Sequence, residues 1–220
     1  MKRIVLMALL ALALPLAAFA GSSVDFQNTG GSIAAIGGAL TGSSDLTTVN
    51  GFPGLASSIS VLYPSSLGSV TFTTPTIFGS VSLGGLFGTG GSFSITGNGT
   101  DGLPSGAIFT GSFTGGTWEM FTIGTGSSAQ HQYVLSGGLT GTWESGTEKV
   151  GGVTTQVTVN AGTGYLTSCG EDTYTACTVT SVTIASGDTD LTVPEPGTLG
   201  LLGTGLVGIA GMVRRKLFGA

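Results

Sequence analysis

The sequence predicts an all-β protein: an antiparallel β-sandwich or barrel-like domain flanked by an N-terminal signal peptide and a C-terminal transmembrane helix. Three observations carry that expectation. Through the middle of the chain apolar residues alternate with Ser and Thr at a period of two. Glycine pairs punctuate these runs, as tight turns require. No stretch of the middle repeats apolar residues at helical spacing for more than a turn or two.

The chain opens with MKRIVLMALLALALPLAAFA. Lys2 and Arg3 precede an apolar run from Ile4 to Leu14, and the segment closes on Ala18-Phe19-Ala20. This is the small-x-small ending of a secretory signal peptide over residues 1–20, with cleavage expected between Ala20 and Gly21. The apolar run is short for a retained membrane span. Signal peptidase and the secretion machinery are the partners such a leader needs.

Residues 21–193 form the exported domain. In SVTFTT, Val70 and Phe72 share one face; in SFSITG, Phe93 and Ile95 do. AIFTGSF brings Ile108 before a Gly-Ser break, and TTQVTVNAG alternates Val157 and Val159 with Thr158 and Asn160. In CTVTSVTIAS, Val179 is out of step with Val182 and Ile184, which predicts a bulge near Ser181. Threonine suits these runs because its branched side chain favours a pleated, half-buried surface. Turns are expected at Gly30-Gly31, Gly37-Gly38, Asn50-Gly51, Gly115-Gly116, Gly137-Gly138 and Ser186-Gly187. The segments FTGGTWE and GGLTGTWE echo each other, with Trp118 and Trp143 in matching places. Two units fall short of a repeat array, so neighbouring strands are expected, with both tryptophans in the core or at its rim.

Only Lys149 among the six basic residues falls in this domain, against ten of the eleven acidic ones, a formal net charge of −9. Nucleic acid demands a basic footprint, and that partner class is excluded. Charged residues are 8% of the whole chain, so the surface must be built from Ser, Thr, Asn, Gln and backbone. Glycine is abundant at 41 residues, but a hydrophobic content of 40% argues for a folded core rather than disorder.

Catalytic chemistry finds little support. His131, the one histidine, lies in SSAQHQYVL and reads as a surface imidazole, with no G-x-S-x-G elbow elsewhere to complete a triad. The phosphate-cradling glycine motifs need a following helix, and none follows here. Asp188 and Asp190, or Glu171 and Asp172, supply too few oxygens for calcium and read as solvated turns. Asn98-Gly99-Thr100 matches an N-glycosylation acceptor, a pattern common by chance in such a composition. No cofactor, metal or catalytic residue is expected. Cys169 and Cys177 are expected to form one disulfide in an oxidising compartment, worth about 2–3 kcal/mol for so short a loop.

The end of the chain, residues 194–220, is of another kind. Pro194-Glu195-Pro196 precedes an uncharged run from Thr198 to Val213, followed by Arg214, Arg215 and Lys216. Sixteen helical residues span about 24 Å, a little under the hydrocarbon thickness of a bilayer. A transmembrane helix over 198–213 is expected, with the basic cluster as a cytoplasmic stop. The tail as a whole resembles the PEP-CTERM sorting tail of exported proteins of Gram-negative bacteria, which joins the same tripeptide, short span and basic end. The same kind of tail is also identified as an ice-binding protein C-terminal domain. The resemblance implies a transient inner-membrane anchor, recognition at Pro194–Pro196 by an exosortase, and a destination at the cell surface or in the extracellular matrix. For the domain itself the leading expectation is a non-catalytic structural or adhesive role. Binding of polysaccharide, through Trp118, Trp143, Tyr133 and Tyr165, or of ice, through ranks of threonine, is the alternative; a secreted hydrolase is a third.

Overall fold

The computed structural model describes residues 22–55, 57–143, 148–166 and 182–193. Eleven strands run through them: β1 (Ser22–Ile36), β2 (Ala39–Asn50), β3 (Ile59–Ser60), β4 (Gly68–Thr73), β5 (Phe78–Ser80), β6 (Gly84–Phe87), β7 (Gly90–Asn98), β8 (Ser105–Ile123), β9 (Gln130–Trp143), β10 (Glu148–Gly162) and β11 (Val182–Val193). The sheet runs β8-β7-β4-β2-β1-β11-β10-β9 and returns to β8, so eight antiparallel strands close into a barrel. Each wall strand lies beside its neighbour in sequence, an up-and-down meander whose last strand meets its first. The expected all-β fold is therefore realised in its barrel form.

One hairpin rises beyond the wall. β4 pairs with β7 and β5 with β6, so residues 68–80 and 84–98 are two arms of one antiparallel ribbon turning at Val81–Leu83. β7 then covers the first half of β8 and β6 the second, in register Phe87↔Gly116 to Gly84↔Glu119. The short β3 pairs with the end of β2.

The period-two pattern fixes which side chains fill the barrel. Val70 and Phe72, Phe93 and Ile95, and Val157 and Val159 are all buried as their spacing predicts. Phe26, Ile33, Leu40, Leu46, Phe109, Phe113, Leu135 and Ile184 join them. An eight-stranded barrel is just wide enough to be filled by its own side chains. Phenyl rings fit only where the neighbouring strand is bare. A Cβ on Gly42 would collide with the Phe72 ring, and one on Gly116 with Phe87. On Gly137 it would stand 2.9 Å from a Phe113 ring carbon, and on Gly141 2.8 Å from Phe109.

That use of glycine corrects the expected turns. Gly37-Gly38 does turn β1 into β2, and Asn50-Gly51 ends β2. Gly115-Gly116, Gly137-Gly138 and Ser186-Gly187 instead lie inside β8, β9 and β11. Gly30-Gly31 is a bulge in β1, between the pairs Thr29↔Asp45 and Ser32↔Ser43, with φ of +70° and +72°. The expected break at Gly111-Ser112 is absent, since β8 runs straight through it. In β11 a register shift skips Ala185, between Thr158↔Ser186 and Val159↔Ile184. Val179 and Ser181 lie outside the described residues, as do the signal peptide, Cys169 and Cys177, and the expected transmembrane helix over 198–213. Among the described residues no helix is long and apolar enough to cross a membrane.

Replacing Gly137 by Ala is expected to destabilise the barrel by about 1–3 kcal/mol, the usual penalty for overpacking. Urea unfolding measures it; an unchanged midpoint would show that the Phe113 ring moves aside freely.

Candidate functional site

The one group of three close carboxylates among the described residues lies across the seam where the barrel closes. Asp25 stands on β1, and Asp188 and Asp190 stand two residues apart on β11, so the pleat aims both β11 carboxylates outward. Oxygens from all three lie within 4.8 Å of one another. Asp25 is held in place: its Oδ2 accepts from Asn50 Nδ2 at 2.8 Å and from Gln27 Nε2 at 3.1 Å. Its other oxygen is buried without a hydrogen-bond partner.

Three negative charges at this distance do not coexist easily. Partial burial raises the Asp188 pKa, and Asp25, near enough to share a proton, and Asp190 raise it further, against the backbone N–H of Thr189, which lowers it. The result is a carboxyl pushed up to about 6 from an ordinary 3.8. As oxygen donors the three would suit a hard cation, although calcium asks for six to eight oxygens and would take the remainder from water.

Two open grooves flank this cluster and share Gln156 and Asp188. One, of about 430 Å³, runs over bare backbone at Gly115, Gly116, Gly137 and Gly138, edged by Thr117, Ser136 and Thr154. The other, of about 410 Å³, is edged by Gln27, Thr29, Thr158 and Ser186. Beneath the second, Asn28 is buried against Gly187 and donates to Ser44 Oγ. A side chain at 187 would displace it.

Elsewhere the wall is ranked with hydroxyls. Ser32, Ser43, Thr71, Ser94, Thr110 and Thr142 are register partners in turn across β1, β2, β4, β7, β8 and β9. Adjacent strands set them about 4.8 Å apart. Thr41, Thr73 and Ser92 make a second, shorter rank. Hydroxyls bridge within ranks, Thr110 to Thr142 at 3.1 Å and Thr41 to Thr73 at 3.4 Å.

Several expected candidates sit elsewhere. His131 is not a surface imidazole: it is 6% exposed, stacks on Tyr165 with ring centroids 4.0 Å apart, and has Thr122 Oγ1 3.3 Å from Nδ1. Trp118, Trp143 and Tyr133 are buried and cannot offer a sugar a stacking face; Tyr165 alone of the four is exposed. Trp118 and Tyr133 stack at 4.9 Å, and the echoing Trp118 and Trp143 lie on the neighbouring strands β8 and β9, as expected. Trp118 Nε1 donates to Val81 O at 2.7 Å and the Tyr133 hydroxyl to Ser82 O at 2.9 Å, while Leu166 N–H donates to that hydroxyl at 3.1 Å. Burial raises the Tyr133 pKa. These bonds pin the hairpin turn to the barrel. The Asn98 side chain closes its own turn, accepting from Thr100 N at 3.0 Å and donating to Ser66 O at 2.7 Å. Pairing Asp25 with Asp188 was beyond sequence reasoning, because 163 positions separate them and only barrel closure joins them.

A closed, self-filled barrel with a polar outer wall defines a β-barrel domain, and the chain beyond it says how that domain is handled. The family model described as the PEP-CTERM protein-sorting motif matches residues 192–216. The chain therefore carries a PEP-CTERM sorting signal, which implies export, a membrane-anchored signal and processing by an exosortase. Pro194, Glu195, Pro196, Arg214, Arg215 and Lys216 all fall within the match and outside the described residues, as do Ala20 and Gly21 at the other end. No curated protein and no solved structure matches the chain.

The Asp188 carboxyl binds its proton more tightly in the folded barrel than in the unfolded chain. Its contribution is therefore complete below its ordinary value of 3.8 and is lost as pH rises through about 6. Asp188→Asn is expected to flatten the wild type's fall in stability across that window and to unfold at higher urea than wild type at neutral pH. Superimposable pH profiles of the urea midpoint would show that the three carboxylates do not interact.

Proposed function

We propose that the protein is a non-catalytic surface or extracellular-matrix protein of a Gram-negative bacterium, whose β-barrel is the cargo of its sorting tail. The observation that carries this reading is the junction: the matched motif begins at residue 192, inside the strand that closes the barrel. The barrel is thus complete at Val193, immediately before Pro194 of the matched motif. The partners in this reading are signal peptidase, the inner membrane and an exosortase.

The test separates address from anchor. In a host that carries the sorting enzyme, wild type is expected to leave the inner membrane, and the Pro194→Ala/Pro196→Ala variant to stay there at full length. Alanine permits a helix to extend backward from Thr198 across the processing segment, which proline forbids. Equal retention of both proteins would reduce the tail to a plain anchor.

The hydroxyl ranks favour a second reading, in which the wall adheres to an ordered hydroxyl-rich partner such as extracellular polysaccharide or ice. Six uncharged donors and acceptors at strand spacing match a repeating neutral surface better than a single small ligand. Thr71→Lys/Thr110→Lys, at two exposed positions, is expected to abolish retention on polysaccharide or growth inhibition of ice while leaving the unfolding midpoint within about 0.5 kcal/mol. Undiminished binding by that variant would remove the ranks from the account.

A further inference from the structure

We infer that Asn50 is a self-modification site, whose side-chain amide closes on the backbone nitrogen of Gly51, loses ammonia and becomes a carboxylate at the seam. Asn50 is the last residue of β2 and half-buried; Gly51 beyond it is exposed and bends the chain with φ of +72°. A Cβ at Gly51 would stand 2.5 Å from Ser23 O, so the fold requires glycine there. No side chain then shields the nitrogen that follows Asn50, and ring closure on a glycine nitrogen is the least hindered case of this reaction.

The seam supplies the acid. Asn50 Nδ2, the atom that must leave, lies 2.8 Å from Asp25 Oδ2. Asp25 is near enough to share a proton with Asp188, and Asp190 adds its charge, so that Asp188 holds its proton to a pH of about 6. An acid placed at a leaving nitrogen is general acid catalysis, and burial with like charge is what brings its pKa toward the working pH. Gly51 N bonds to Asn50 Cγ and loses its proton to water. The Cγ–Nδ2 bond breaks, and Nδ2 leaves as ammonia with a proton from the carboxyl pair, which water then restores. A further water molecule opens the cyclic imide at either carbonyl, leaving aspartate or its β-linked isomer at position 50. The net change is a water taken up and an ammonia released.

The modification reaches the fold through Asp25. Asn50 is its register partner and one of two amides that hold its Oδ2, the other being Gln27 Nε2 at 3.1 Å. Conversion replaces that donor with a further carboxylate beside Asp25, Asp188 and Asp190, and turns an attraction into a repulsion. The other Asn-Gly pair, Asn98-Gly99, lacks this arrangement: its Nδ2 donates to Ser66 O at 2.7 Å, and its Oδ1 accepts from Thr100 N at 3.0 Å. It is the uncatalysed reference within the same chain.

Peptide mass mapping of the full chain, stored in mild detergent at neutral pH, tests the inference. Asn50 is expected to show the mass of an amide turned acid, with ammonia released, before Asn98 does. Asp25→Asn keeps the shape of the side chain and removes the acid. It is expected to slow conversion at Asn50 by about 10²-fold, the low end of general acid–base catalysis, with Asn98 unchanged. A merely structural role for Asp25 would loosen the end of β2 and speed conversion instead. Asn50→Asp is expected to lower the urea midpoint at neutral pH and to match wild type below the ordinary carboxylate range, where Asp25, Asp188, Asp190 and the new group are all protonated. An Asn50 that survives after Asn98 has converted overturns the inference, as does a rate at Asn50 that Asp25→Asn leaves unchanged or raises. An Asn50→Asp variant as stable as wild type at neutral pH overturns the link to the seam.

Discussion

Everything in this barrel depends on fitting phenyl rings against bare backbone. Eight strands leave an interior that side chains must fill, and the inward positions of β4, β6, β7 and β8 carry Phe72, Phe87, Phe93, Phe109 and Phe113. Phe93 stands edge-on to Phe109 and to Phe113, at centroid distances of 6.3 and 5.9 Å, and Phe87 meets Phe113 at 5.2 Å. So many rings crowd a small volume that the neighbouring strand must lose its Cβ atoms at Gly42, Gly116, Gly137 and Gly141. Glycine weakens a strand through backbone entropy. Ring burial of about 150–250 Å² per aromatic offsets that loss, and this exchange lets so glycine-rich a chain hold a barrel at all.

The same exchange explains where sequence reasoning succeeds and where it fails. Alternation is a local property, so Val70 and Phe72 or Val157 and Val159 announce their inward face directly. A Gly-Gly pair is ambiguous: it supplies the positive φ of a turn or the empty space under a ring. Gly37-Gly38 does the first, while Gly137-Gly138 does the second, and the difference lies in Phe113 on the next strand. His131 was misread for a related reason. Its polar neighbours suggest a surface, but it begins β9 on the inward face and is covered by Tyr165 from beyond β10. The carboxylate cluster was half legible, with Asp188 and Asp190 visible as a pair and Asp25 invisible until the first strand met the last.

Charge is distributed with equal economy. An outer wall of Ser and Thr solves the solubility of a barrel without ions, because each hydroxyl bonds water or its cross-strand partner. The few carboxylates are then free to gather, and three of them gather at the seam. Their mutual repulsion weakens that junction as pH rises through about 6, which makes the closing contact of the fold pH-dependent. Uncharged β3 to β7 lie away from it, which divides the wall into an acidic seam and a neutral flank.

Closure sets the order of events along the chain. The meander grows by adding each strand to the last, and loop closure between neighbours is entropically light. The exception is β1 with β11, which must find each other across the whole domain, and until they pair both present open edges. β11 ends at Val193, and Pro194 follows. Proline carries no N–H, so Pro194 offers a continuing ladder no donor. The last strand needed to finish the barrel and the first proline of the Pro-Glu-Pro tripeptide are thus adjacent in sequence. A chain built this way completes its barrel on the strand that immediately precedes Pro194-Glu195-Pro196 in the sequence.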